Sequence, residues 1–219
     1  MRSDSDIRQD VESELRWAPD IDPTDIAVTV KDGVVTLTGF VHSYLQKVRV
    51  EALVKNIDGV VGLANDLEVR VPEKDARPDP DIARAAVSAI RSQLPAIWER
   101  IRVVVRDGWV TLEGEVEQDS QRQRAEEAVR RQIGVRGVRN LIRLKPKAAV
   151  APDEIRRQIE EAFRRSAEID ANRIAIEVHG GDVILTGTVR SWAERQEAER
   201  VAWLAPGIVK VENRITVGP

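Results

Sequence analysis

Apolar residues recur with two different periods along this chain, and the two periods alternate in the same order three times. Each copy opens with apolar residues four positions apart, which is the spacing of one face of an α-helix. These residues are Ile7, Val11 and Leu15, then Ile82, Ala86 and Ile90, then Ile155, Ile159 and Phe163. A strict alternation of apolar and polar residues follows, as in Ile26, Val28 and Val30, and predicts a half-buried β-strand. We therefore predict that each copy begins with a helix followed by a strand.

A stretch bounded by two glycines forms the centre of each copy. It spans Gly33–Gly39, Gly108–Gly114 and Gly181–Gly187. The Asp-Gly or Gly-Gly pair that opens it tolerates positive φ, as a tight hairpin requires, so a second strand is expected there. A second apolar stripe at helical spacing and a third alternating segment complete each copy. The predicted order is helix, strand, strand, helix, strand.

This order predicts a two-layer fold of the α+β class. Because a strand–helix–strand crossover is right-handed and places its helix on one face, both helices are expected on the same face of a three-stranded sheet. The opposite face of each sheet is then left bare. A repeat period of about 75 residues suits a small independent domain rather than a solenoid unit. We predict three αββαβ modules, at residues 6–71, 81–145 and 153–217, joined by short polar linkers.

Composition and charge narrow the classes of protein that fit. The 219 residues carry a net charge of -3, and only the middle module is basic, with 12 basic and 9 acidic residues between positions 81 and 144. That balance is milder than the strongly basic domain of a dedicated nucleic-acid binder. The first six residues lack the apolar segment of a signal peptide, and no run approaches the ~20 apolar residues of a membrane span. Together with the lack of cysteine, these features lead us to expect a cytoplasmic protein.

The residues that usually carry catalysis are not arranged in a shared site. The two histidines, His42 and His179, fall at non-equivalent positions of the repeat. The chain has no cysteine, no His-Glu-x-x-His motif and no glycine-rich phosphate loop, so nucleophilic, zinc and nucleotide chemistry lack their usual parts. With 32% charged residues, neighbouring carboxylates are expected on solvated surfaces without a catalytic role. We therefore predict no enzymatic activity, no metal site and no cofactor.

Three motifs, most complete in the third module, resemble those of a known family. They lie at Gly181–Val189, Ser191–Arg195 and Pro206–Asn213, and the other two modules keep parts of them. The pattern is similar to the BON domain (bacterial OsmY and nodulation). The resemblance implies the αββαβ order derived above and a protein without enzymatic activity. It also implies an association with osmotic or envelope stress and, in some members, the binding of phospholipid surfaces or potassium.

Tryptophan accounts for five of the eight aromatic residues and supplies the candidates for an interaction site. Trp17 lies at the edge of the first apolar stripe and Trp203 lies off the stripe of the last helix, so we expect both to face outward. Strand parity places Trp109 on the bare face of the middle sheet, alongside Val104 and Leu141. The middle module alone is therefore predicted to carry an apolar patch on that face.

Such a patch usually marks an interface. Cover by another module of the same chain is favoured over an external partner, such as a second subunit. The arginines of the second helix in the middle module, among them Arg122 and Arg130, are interrupted by Glu126 and Glu127 and are interpreted as a solvated face. Nucleic acid is the minor hypothesis, because the usual pattern of aromatic and basic strand residues is missing.

Three functional hypotheses follow. The leading one is a cytoplasmic, stress-associated protein without enzymatic activity that acts as an interaction or ligand-sensing module. The alternative is a peripheral protein that binds anionic phospholipid surfaces through Trp17 or Trp203 and neighbouring arginines. A potassium sensor is the third, and it rests only on the resemblance.

Overall fold

The order of elements expected from the repeat is present three times in a computed structural model, which describes residues 2–146 and 150–218. The first module contains α1 (Asp4–Trp17), β1 (Ile26–Lys31), β2 (Val34–Val41), α2 (Tyr44–Lys55) and β3 (Gly62–Val69). The middle module contains α3 (Asp79–Gln93), β4 (Ile101–Arg106), β5 (Trp109–Val116), α4 (Asp119–Arg130) and β6 (Gly137–Leu144). The third contains α5 (Pro152–Arg165), β7 (Ile174–His179), β8 (Asp182–Val189), α6 (Trp192–Ala202) and β9 (Lys210–Val217). The α+β class and the three modules, each with a three-stranded sheet and two helices, are confirmed.

Each module has its own sheet, with its second strand in the centre. The strand orders are β1-β2-β3, β4-β5-β6 and β7-β8-β9. In the first and third modules the hairpin strands are antiparallel, and the last strand runs parallel to the central one. The central strand begins beside the start of the last strand, so that Val34 lies opposite Gly62 and Asp182 lies opposite Lys210.

The core of the third module shows how the apolar pattern selects one face of a sheet. Ile159 and Phe163 of α5 are fully buried and share one cluster with Val183 and Leu185 of β8. Asp182, which precedes Val183 on the same strand, is exposed. Because side chains alternate along a strand, the apolar residues meet the helices while the residues between them line an open face.

A carboxylate at the start of α3 holds the hairpin that precedes Trp109. The side chain of Asp79 accepts hydrogen bonds from the backbone N–H of Asp107 at 2.8 Å and of Gly108 at 2.9 Å. Asp4 of α1 binds the hairpin of the first module in the same way. The start of β5, and with it Trp109, is therefore anchored to α3.

By packing, the chain forms two compact units. One consists of Met1–Glu113 and Arg124–Leu141, and the other of Gly114–Gln123 and Ile142–Pro219. The boundary runs through the middle module, whose elements β5, α4 and β6 each contribute to both units. This division does not follow the sequence repeat.

Candidate binding surface on the middle module

The apolar patch predicted from strand parity is exposed. Trp109, Val104 and Leu141 keep 53%, 52% and 50% of their surface accessible, whereas Val110 and Leu112, which alternate with Trp109 on β5, are fully buried. All three patch residues belong to the first unit, and no other part of that unit covers them. Cover by a neighbouring module therefore stays a prediction. Parity correctly placed the side chains, but it carries no information on what packs over them.

These residues lie on what we call the open face of the middle module. Its members within the first unit are Arg102, Val104 and Arg106 on β4, Trp109, Thr111 and Glu113 on β5, and Arg139 and Leu141 on β6. Most of them line a single shallow groove that runs across the three strands. The face thus brings apolar and charged side chains together in one groove.

The ring of Trp109 lies flat against the backbone of Gly137 on the neighbouring strand β6. A Cβ atom added to Gly137 would collide with Cε3 and Cζ3 of the indole. The equivalent position of the first module also holds a glycine, Gly62, which faces the smaller Val34. Glycine at position 137 therefore lets one side of the indole rest on the sheet while the other side faces solvent.

Three arginines flank the patch on the two outer strands. Arg102 and Arg106 lie on β4, Arg139 lies on β6, and all three are exposed. Within residues 2–146 and 150–218, none of their guanidinium groups forms an ion pair or a hydrogen bond. The acidic residues Asp107 and Glu113 line the same groove but do not pair with these arginines. The three arginines therefore exceed the two carboxylates, and the face carries a small excess of positive charge.

The open faces of the outer modules lack this charge. On β9 the guanidinium of Arg214 pairs with Glu212 at 2.7 Å. On β3 the position equivalent to Leu141 is held by Asp66. Among the residues that the structure describes, an exposed indole between strand arginines is thus present on the middle module alone. These strand arginines were not among the residues predicted from sequence, where the basic residues of α4 drew attention, although the strand parity that placed Trp109 also places them.

The two other tryptophan candidates occupy different environments. Trp17, at the end of α1, is 85% exposed, as expected. Trp203 is half-buried: it packs against the core cluster of the third module, and the guanidinium carbon of Arg122 lies 4.8 Å from its ring centre. The expectation that Trp203 faces outward is wrong. Its side chain is covered in part by Arg122 of α4, and the apolar pattern of α6 does not indicate which residues of another helix pack against it.

A buried carboxylate lies next to this contact, in the second unit. The side chain of Asp119, the first residue of α4, is 2% exposed and pairs with Arg122, while Gln123 Nε2 donates to it at 2.6 Å. Burial raises the pKa of Asp119 above its ordinary value, and the ion pair with Arg122 opposes that shift. This residue was not singled out by sequence, because aspartate at a helix start is usually a solvated cap.

The histidines do not form part of a shared site. His42 is exposed, and its Nε2 lies 4.0 Å from the carboxylate of Asp25. Within the described part of the chain, no group of three or more His, Cys, Asp or Glu side chains is placed to hold a metal ion. No helix among the same residues is long and apolar enough to cross a membrane.

The family of this chain follows from comparison with known proteins. The BON domain model matches three times, at residues 3–71, 78–146 and 152–219. The chain belongs to the BON domain family. A relative, Osmotically-inducible protein Y of Escherichia coli (strain K12), is 32% identical over 146 residues, which cover 65% of this chain and 73% of the relative.

Solved structures of CdsD, a structural protein of the type III secretion system of Chlamydia trachomatis, also align with this chain. One aligns over 98% of this chain and 93% of its own length, with a TM-score of 0.28 and 14% identity. The other, a C-terminal domain, aligns over the full length of both chains, with a TM-score of 0.27 and 13% identity.

Proposed function

We propose that this protein is an osmotic-stress-associated binding protein without enzymatic activity, and that the open face of the middle module is its binding surface. The observation that carries the proposal is the half-exposed patch of Val104, Trp109 and Leu141, set among three unpaired arginines. Exposed apolar area beside uncompensated charge is typical of interaction surfaces rich in Trp and Arg. The name of the Escherichia coli relative supports the link to osmotic stress, and membership of the family fits a role in binding rather than catalysis.

A pair of matched substitutions tests this proposal in cells that lack their own copy of the protein. Trp109→Asp gives the middle module the residue that the third module carries at the same position, Asp182. Val34→Asp makes the same change on the open face of the first module. At high osmolarity, wild type and Val34→Asp are expected to restore growth, and Trp109→Asp is expected to fail at equal protein level. Full growth with Trp109→Asp would contradict the proposal.

Binding to an anionic phospholipid surface is a second candidate, favoured by one observation. Trp17 is 85% exposed at the end of α1 and follows Arg16, a combination that suits the interfacial region of a bilayer. Sedimentation with anionic and neutral vesicles, at low and at physiological salt, tests this candidate. Binding to anionic vesicles that Trp17→Ala abolishes would support it, and no sedimentation under any condition would eliminate it.

Potassium sensing and cytoplasmic location stay predictions. Calorimetric titration with potassium against sodium tests the first, and a heat of binding specific to potassium would support it. Fractionation of the host cells tests the second.

A further inference from the structure

We propose that the open face of the middle module binds single-stranded nucleic acid, with a base stacked on Trp109 and phosphates held by the strand arginines. This inference rests on the proposed function, since it names the ligand of the same surface. It is carried by one juxtaposition, a flat indole on the central strand between unpaired arginines on both outer strands.

The position of the indole suits base stacking. Trp109 is supported from below by Gly137 and keeps 53% of its surface accessible, so it presents a ring face rather than an edge. Every base has a π-face, and stacking on an aromatic side chain is therefore strong and tolerant of sequence. Val104 and Leu141, on either side of β5, extend the apolar platform toward the neighbouring bases.

The arginines suit the phosphates of the same ligand. Guanidinium groups bind phosphate oxygens in a bidentate geometry, and they do so most strongly when no protein carboxylate competes for them. Arg106 and Arg139 line the same groove as Trp109 and come from opposite outer strands. Asp107 and Glu113 line it as well, but within the described residues neither forms an ion pair with these arginines. A strand of nucleic acid that crosses the sheet therefore meets a cation on each side of the stacked base.

The same geometry disfavours the other occupants. Two open faces packed against each other would bring six unpaired arginines together with four carboxylates, those of Asp107 and Glu113 in each copy, and leave an excess of positive charge. An indole that lies flat on a sheet does not reach into a bilayer. In a duplex the bases are stacked and paired, so their π-faces are not available to Trp109. A single strand with unstacked bases can place a base on the exposed ring of Trp109 and its phosphates on the strand arginines.

The open faces of the outer modules provide the internal comparison. At the position of Trp109 they carry Val34 and Asp182, and their outer strands carry carboxylates such as Asp66 and Glu212. We therefore expect one binding site per chain, on the middle module.

The test uses the full-length protein and a labelled single-stranded oligothymidine of about ten nucleotides. Fluorescence anisotropy is expected to show binding with one site per chain, which weakens as salt rises from about 50 to 200 mM. Trp109→Ala should weaken binding about tenfold or more through lost stacking, and Trp109→Phe should restore part of it. Arg139→Ala should reduce the slope of log K against log salt by about 0.7, the value for one phosphate contact.

Two control variants and one competing ligand, anionic vesicles, make the outcome decisive. Trp17→Ala and Val34→Ala should bind the oligonucleotide as wild type does, and circular dichroism should show all variants folded. No binding of wild type at low salt, or equal losses in the control variants, would overturn the inference. Binding of anionic vesicles, dependent on Trp109 and without oligonucleotide binding, would overturn it while the proposed function stands. If Trp109→Asp supports full growth at high osmolarity, the proposed function itself fails.

Discussion

Asp119 and Arg122 form an ion pair in which the carboxylate is almost completely buried, while the guanidinium lies over the ring of Trp203. The pair joins the first turn of α4 to the end of α6, within the second unit. A buried carboxylate pays a desolvation penalty that a single ion pair offsets only in part. The stability of this contact is therefore expected to depend on pH.

The first prediction concerns that dependence. Because burial raises the pKa of Asp119 in the folded state, the folded protein binds this proton more tightly than the unfolded chain does, and protonation increases the free energy of unfolding. This contribution is fully present below the unfolded pKa near 4 and is lost as pH rises through the folded pKa. Asp119→Asn should therefore equal or exceed wild type in free energy of unfolding at pH 7, with the difference shrinking toward pH 3.5. Urea denaturation at a series of pH values measures it, and a variant less stable than wild type at pH 7 would contradict the assignment.

The second prediction concerns Trp203. Its contacts with the core of the third module and with Arg122 should make Trp203→Ala cost about 2 kcal/mol of unfolding free energy. Trp17→Ala, at an exposed position, should change it by less than about 0.5 kcal/mol. Chemical denaturation of the two variants compares them directly. If both substitutions change the free energy of unfolding by the same small amount, Trp203 faces outward, as the sequence predicts.

The third prediction concerns the anchor of the hairpin before Trp109. Asp79→Ala removes two hydrogen bonds to backbone N–H groups and should cost about 1–2 kcal/mol. Asp81→Ala, on the same helix, removes only an exposed pair with Arg84 and should cost less than about 0.5 kcal/mol. If both substitutions have the same small effect in thermal unfolding, the anchor has no structural role.

The fourth prediction concerns the support beneath the indole. Gly137 does not have a positive φ, so Gly137→Ala is compatible with the backbone, but its Cβ would displace the ring of Trp109. We expect an unchanged fold, a more quencher-accessible indole and weaker oligonucleotide binding. Gly62→Ala makes the same change in the first module, beneath Val34, and should leave binding unchanged. Equal binding by the two variants would show that the flat position of Trp109 is not used.

The parts of the structure that follow from periodicity were predictable from sequence. Helical spacing and strand alternation located the elements, and strand parity placed Trp109 on the open face, because both depend on local geometry alone. The burial of Trp203 and Asp119 was not predictable. It depends on contacts between α4 and α6, and neither helix shows in its own pattern what packs against it.

The candidate site was predictable from sequence only in part. The exposure of Arg102 and Arg139 follows from the same parity as that of Trp109, and could have been predicted. Their lack of ion pairs could not, because it depends on which carboxylates reach them across the sheet. The support of the indole by Gly137 also required the register of the middle sheet.

The central claim is that the open face of the middle module binds single-stranded nucleic acid through Trp109, and the indole N–H signals of the five tryptophans test it most directly. In a ¹⁵N-labelled protein titrated with single-stranded oligothymidine, we predict that the signal of Trp109 shifts or broadens first. The signals of Trp17 and Trp203 should stay in place, which also serves as the control for general changes. Assignment follows from Trp109→Phe and Trp17→Phe, each of which removes one signal. A titration in which Trp109 does not respond, or in which Trp17 responds instead, would contradict the account.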